Sequence, residues 1–259
     1  MAGEHREEAR PLGLLHDIGA MAIMFWSVLI LLFPPRFDSH EFKRQLHRIG
    51  VQSLPIAALT AFLVGIIMVV QTATYTRKTG ATSFASFVAG VAVLSELGPA
   101  LIGIMFSGRV GANTTAELGT MVVSEQIDAL RALSIDPLKF LVVPRFVAIC
   151  ISLVVLTLIG DLFGLVGGAL AVDLVLGVDY LSFYSGILDA GLIDELFVGL
   201  AKGLAFGVVI SITSSTYGLG VSGGARGVGR AVNSCVVATA IGIFAWDYII
   251  TWIWYQWLG

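Results

Sequence analysis

Residues 91–103 read VAVLSELGPALIG. The run is apolar apart from Ser95 and Glu96, and Gly98 and Pro99 follow directly. Ionisable side chains inside membrane helices are costly, so a carboxylate kept in such a run points to a partner or a wet cavity. Extended in both directions, 84–108 is long enough to cross a hydrocarbon core of about 30 Å. Pro99 lacks an N–H and is expected to bend or loosen the helix around Glu96.

The rest of the chain has the same character. Of 259 residues, 57% are hydrophobic and 13% charged, against about 25% charged in soluble domains. Mean hydropathy is +0.91. Further apolar runs occupy 51–76, 146–168, 196–217 and 232–257, the last ending in Trp252, Trp254, Tyr255 and Trp257 as in an interfacial aromatic belt. No alternating ten-residue strands of a membrane β-barrel occur. The fold class is therefore all-α, a polytopic membrane protein with five transmembrane helices. Residues 1–50 form an N-terminal cytoplasmic or interfacial segment and 51–259 the transmembrane domain. The run 12–33 carries His16 and Asp17 and ends at Pro34 and Pro35; it reads either as a span or as a helix lying at the interface. The N-terminus shows no cleavage-site pattern, so no signal peptide is expected.

Arginine and lysine set the orientation. Arg6, Arg10, Arg36, Lys43, Arg44, Arg48, Arg109, Arg131, Lys139, Arg145, Arg226 and Arg230 fall on one side, 12 of the 15 basic residues. That side is expected to be cytoplasmic, with the C-terminus outside and the aspartate-rich loop around 173–194 also outside. The chain is expected in a bacterial inner membrane.

Several chemistries find no support. All four histidines lie in the first 50 residues, and no His/Cys/carboxylate group has metal-ligand spacing, so no metal is expected. Cys150 and Cys235 sit in apolar runs and read as small buried side chains. No G-x-x-x-x-G-K-[ST] loop occurs. GGARGVGRA at 223–231 follows a membrane span and lacks that ending, so it reads as a tight turn. Energy for any transport must come from a partner or an ion gradient. No nucleic-acid partner is expected.

Four ionisable residues fall within spans: Glu96, Asp161, Lys202 and Asp247. Each costs about 2.5–3.5 kcal/mol at mid-membrane on insertion scales. At about 1.5 Å per residue, Glu96 lies about 20 Å, Asp247 about 15 Å and Asp161 and Lys202 about 10 Å from the outer end. The pattern fits a cavity open to the outer side with Lys202 as the sole cation for three acids; internal glue is the alternative. Glycines at 160, 164 and 168, and at 199, 203 and 207, have the spacing of close helix contacts, within one chain or between two copies.

Residues 124–137 read SEQIDALRALSIDP. Ser124 reads as an N-cap with Glu125 in the first turn. Ile127, Leu130 and Leu133 share one face; Glu125, Asp128 and Arg131 share another. Asp136 and Pro137 open the next helix. This short helix, about 122–135, is either an ordinary interfacial helix or a docking helix for a soluble partner. Arg109 and Glu117, eight residues apart, either pair, brace that helix, or are plain surface charges.

Taken together, 96–145 resembles the MlaE family of ABC-transporter permeases. The matching blocks are ELGP at 96–99, SGRVG at 107–111, AELGTM at 116–121, EQIDAL at 125–130, DP at 136–137 and PR at 144–145. The later 223–231 is similar too. The resemblance implies a homodimer seated on two cytoplasmic ABC ATPase subunits, which hold the ATP and Mg; this chain would bind no cofactor. Glu125, Gln126, Ile127, Asp128, Ala129, Leu130 and Arg131 would form the coupling helix in a cleft of the ATPase. An MCE-domain hexamer would meet the dimer on the periplasmic side, and a small STAS-type regulatory subunit is a further implied partner. The substrate would be glycerophospholipid moved between inner and outer membranes, maintaining outer-membrane lipid asymmetry. The first apolar segment would be an interfacial or elbow helix.

The resemblance also places Glu96 in a lipid pocket. Leu94, Leu97 and Leu101, with Ile66, Val69 and Val70 on the facing first span, are the candidate wall, and Lys202 the candidate counter-charge. Many relatives have arginine where this chain has Ser95, which alters what a phosphate would meet. Two other classes stay in play: an ion-coupled secondary transporter of a small hydrophobic solute, and a membrane enzyme acting on lipids. The first lacks an obvious inverted repeat; the second lacks a catalytic constellation.

Overall fold

The computed structural model describes residues 11–32, 39–79, 82–177, 179–189 and 191–257. Among them every regular element is helical: α1 (Pro11–Leu31), α2 (Ser39–Ile49), α3 (Leu54–Thr79), α4 (Thr82–Val91), α5 (Leu97–Phe106), α6 (Ala112–Val123), α7 (Gln126–Ala132), α8 (Val143–Ala171), α9 (Tyr180–Asp189), α10 (Ile193–Leu219) and α11 (Gly224–Trp257). A short 3₁₀ turn, Val51–Ser53, joins α2 to α3. Two π-helical turns, Ala92–Glu96 and Ser107–Gly111, interrupt the second long helix, and two more, Leu138–Val142 and Val172–Leu176, begin and end the span built on α8. The expected features at His5, Arg6, Arg10, Pro34, Pro35 and Arg36 lie outside the described residues, as do the side chains of Arg77 and Lys78.

Five stretches are long and apolar enough to cross a membrane: Phe42–Ala73, Phe87–Val123, Leu138–Leu176, Ile193–Leu219 and Gly224–Gln256. The protein is a multi-pass membrane protein with the five expected spans, several longer than their apolar runs suggest. The second does not stop at Arg109. It continues through a π turn into α6, because Thr115 and Leu118 still face a packed interior. α1 lies against the α7-proximal part of the bundle. Its Val28 is buried with Val142, Val143 and Ile212, and Asp17 accepts a 3.0 Å hydrogen bond from the Tyr217 hydroxyl.

Lipid tails are as apolar as leucine, so membrane helices associate through close packing rather than through hydrophobic expulsion from water. Glycine supplies that closeness here, within the single chain. A Cβ on Gly65 of α3 would run into the carbonyl oxygen of Gly164 on α8, and one on Gly167 into that of Phe62. Along α10, a Cβ on Gly203 would meet Thr157 Oγ1 at 2.8 Å and one on Gly207 would meet Cys150 Cα at 2.9 Å. Gly65 and Gly164 thus let α3 and α8 meet, and Gly203 and Gly207 let α10 in against α8. Between these helices Ile102, Phe106, Ile149, Leu153, Phe206 and Ile210 form the main core.

Replacing Gly65 or Gly164 by valine should force α3 and α8 apart and cost about 1–3 kcal/mol or more, as overpacking does. Thermal unfolding of the detergent-solubilised protein should register the loss, whereas Gly108→Ala, with nothing within 4 Å of the new methyl, should leave the midpoint in place.

Candidate functional site

The site begins with Pro99. Having no N–H, it cannot donate to the Ser95 carbonyl four residues back, and its ring clashes there in an ordinary α-helix. The chain answers by widening over Ala92–Glu96, where the Leu97 N–H bonds five residues back to Ala92. Gly98 is needed for this turn, since a Cβ there would strike the Val93 carbonyl oxygen. Ser95 is buried and its hydroxyl donates to the Val91 carbonyl at 3.1 Å. The expected loosening at Pro99 is thus one π turn, and Glu96 closes it with φ −118° and ψ −85°.

Glycine again brings the partner in. A Cβ on Gly199 would strike the Leu94 carbonyl oxygen and sit 3.2 Å from Pro99, so α10 lies directly on the π turn. Lys202, one helical turn on, is 0% exposed. Its Nζ lies 3.0 Å from Glu96 Oε2 and 2.9 Å from Asp247 Oδ1 of α11. Both are close ion pairs. Thr251 of α11 donates to Glu96 Oε1 at 3.1 Å. A buried ammonium needs such anions, and losing one would leave charge uncompensated in a poor dielectric. The Glu96 side chain keeps 35% exposure and Asp247 19%, so the triad is closed at the lysine and open at the carboxylates.

Asp161 stands apart from this group. It is 1% exposed, neither carboxyl oxygen has a hydrogen-bond partner, and its Oδ1 lies 3.3 Å from where a Cβ on Gly98 would be. Lys202 therefore offsets two of the three intramembrane acids. Among the candidate wall residues, Leu97 and Val70 are exposed, Leu101 and Ile66 are partly buried, and Leu94 and Val69 are packed inside with Ala89, Ala169 and Phe183. Thr251 was not singled out by sequence reasoning. Its spacing of four from Asp247 puts both on one face of α11, the signal that would have found it.

At the other end, α6 passes into α7 through a tight turn. Ser124 does not cap α7 as expected; it ends α6, donating to the Thr120 carbonyl at 2.8 Å. Glu125 takes the N-cap position in a left-handed conformation (φ 59°), and Ser134 beyond α7 has φ 60°. Asp136 does cap the next helix, accepting from the Leu138 N–H at 2.9 Å. Ile127 is buried with Leu118 and Leu141, and Leu130 packs against them. Leu133 does not join that face: α7 stops at Ala132 and Leu133 is 71% exposed. Glu125, Gln126, Asp128, Ala129 and Arg131 all face outward, with Asp128 and Arg131 paired at 3.0 Å. Glu117 does not pair with Arg109, which is exposed. Its Oε2 takes Arg48 of α2 at 3.1 Å and its Oε1 takes Arg145 of α8 at 2.8 Å.

Comparison with known proteins agrees with this architecture. The family model described as "Permease MlaE" matches residues 42–253. A probable ABC transporter permease protein of Rickettsia typhi is 38% identical over 236 residues, covering 91% of each chain. One from Synechocystis is 33% identical, over 90% of this chain and 88% of its own. The chloroplastic protein TRIGALACTOSYLDIACYLGLYCEROL 1 of Arabidopsis thaliana is 35% identical, over 93% of this chain and 69% of its own length. With the five spans, the exposed α7 and a family match over most of its length, the chain belongs to the MlaE family of permeases.

Proposed function

We propose that this chain is the permease subunit of an ABC-type lipid transporter that moves glycerophospholipids between inner and outer membranes, driven by ATP hydrolysis in partner subunits. The observation that carries the reading is Glu96: a half-open carboxylate held on an apolar bundle by a fully buried lysine. A lipid site needs an apolar wall and a few fixed polar groups for the headgroup. Leu97 and Leu101 supply wall beside Glu96. Ser95 is turned inward to Val91, so the outward charge is carboxylate, which suits a headgroup carrying an amine. The name of the Arabidopsis relative refers to a glycolipid, which is in keeping with a lipid substrate.

The remaining assembly follows from family membership and the exposed surfaces. α7, with its outward Glu125, Gln126, Asp128, Ala129 and Arg131, is the surface offered to a cytoplasmic ATPase holding ATP and Mg. Val237, Ile241, Phe244, Tyr248 and Trp252 form an exposed stripe along α11, and a second copy of the chain is the occupant we assign to it. An MCE-domain hexamer would cover the opposite end, and a STAS-type subunit would act beside the ATPase. The membrane would be the bacterial inner membrane.

Asp128→Arg and Ala129→Arg should cut ATPase recruitment or lipid transfer per ATP about tenfold, a coupling loss in the usual range, while thermal stability stays unchanged. Normal pull-down of the ATPase by both variants would remove α7 from the interface. Glu96→Ala should lower the co-purified lipid measured by mass spectrometry; unchanged amount and headgroup composition would make Glu96 structural. Lys202→Met should cost about 3–5 kcal/mol of stability, because two carboxylates lose their cation. In proteoliposomes, lipid transfer should require the ATPase and ATP. Solute transport by this chain alone under a pH gradient would favour the ion-coupled alternative.

A further inference from the structure

The segment holding α7 is a loop with a closed neck. Glu117 lies on α6, before α7, and Arg145 lies near the start of α8, after it. Their 2.8 Å contact joins the two limbs. Everything between 117 and 145, including α7, is carried on this neck. Arg145 is 5% exposed in its side chain, so its guanidinium is held in a poor dielectric where the Glu117 carboxylate matters most. The other oxygen of the same carboxylate takes Arg48 of α2, which runs through the 3₁₀ turn into α3. One side chain thus joins α6, α8 and the base of α3.

The loop above the neck is stiff. Glu125 and Ser134 bracket α7 in left-handed backbone, the two non-glycine residues with positive φ among those described. Such conformations persist only where the surroundings over-determine them. The Ile127 cluster pins α7 underneath, and Asp136 caps the exit. An open depression lined by Asn113, Thr120, Met121 and Gln126 flanks Glu117, so the neck lies next to outside space on the α7 side. A push on α7 is therefore not absorbed in the loop and reaches the neck.

We propose that Glu117 is the positioning residue through which displacement of α7 is passed to α3 and α8. Through them it reaches Gly65, Gly164 and the π turn that presents Glu96. Glu117 acts through Arg48 and Arg145. The inference rests on the proposed coupling role of α7, and its physical basis is a contiguous network with a single shared carboxylate.

The test uses the full chain assembled with its ATPase in nanodiscs. Spin labels at Leu133→Cys, directly after α7 and outside the surface assigned to the ATPase, and at Leu59→Cys on α3, both exposed positions, report the α7–α3 distance; native Cys150 and Cys235 are buried and stay unlabelled. On adding ATP and Mg, the wild-type distance distribution should shift. In Glu117→Gln, α7 should still respond at its own interface but the shift relative to α3 should change. Lipid transferred per ATP hydrolysed should fall about tenfold, with co-purified lipid and ATPase recruitment unchanged. Arg48→Met should give the same defect, and the double variant should be no worse than Glu117→Gln alone, as expected of residues acting in one network. Lys43→Gln on the exposed side of α2 should behave as wild type. The proposal is overturned if Glu117→Gln leaves transfer per ATP and the distance shift intact. It is equally overturned if lipid occupancy, recruitment and thermal stability fall together, since the residue would then only hold the fold, or if the wild-type distance does not respond. Should lipid transfer be absent even in the wild type, a distance shift altered by Glu117→Gln still supports this role and sinks the lipid reading alone.

Discussion

An ammonium group with no exposed surface inside a lipid-embedded bundle has to be met by anions, and Lys202 is met by two. That requirement organises the surroundings. α10 must come close enough for a lysine stem to reach, which Gly199 allows. α11 must present Asp247 on the same side. The second span must turn a carboxylate inward at one point while keeping its flanks apolar, which Pro99 and the π turn achieve. None of these elements needs a strong interaction of its own; each is placed by contacts that small residues permit. The acids gain a fixed position in return, and Glu96 retains open surface without being free to move.

The bundle illustrates how close packing and electrostatics divide their labour in lipid. Glycine contacts set helix separation at α3–α8 and α8–α10, but they carry no directional information beyond shape. Direction comes from the few charges. The Glu96–Lys202–Asp247 group fixes the rotation of α10 and α11 at one level. The Arg48–Glu117–Arg145 group ties α2, α6 and α8 together at the α7 level. Two levels of charge, separated by an apolar core around Phe106 and Phe206, between them touch all five spans.

Much of this was legible in the amino-acid sequence. The five spans follow from apolar length, and the two glycine series announced close contacts, because period and small size are local properties. What those glycines touch is not local, so the choice between contact within a chain and contact between copies needed the structure. The need of Lys202 for anions was readable; which acids answered was not. Helix rotation decides that, and a π turn changes rotation in a way no straight-helix count anticipates. The same effect separates Arg109 from Glu117, since Ser107–Gly111 is itself a π turn and Arg48 and Arg145 supply nearer cations from distant parts of the chain. Ser124 was misread because it is equally suited to finish a helix as to start one. Leu133 kept its place in the apolar pattern although α7 had already ended at Ala132.

The π turn at Ala92–Glu96 has a consequence for how this span tolerates change in length. A π turn is an α-helix holding one residue more than it needs, and one residue corresponds to about 100° of rotation and 1.5 Å of rise. A chain lacking a single residue there would lose the widened turn that accommodates the Pro99 ring, with little in its composition or hydropathy to mark the difference. Its half of the span before Pro99 would also be turned away, and Lys202 would be left with Asp247 as its one anion. The span is therefore permissive in composition and strict in count. In this stretch the number of residues is itself part of the site.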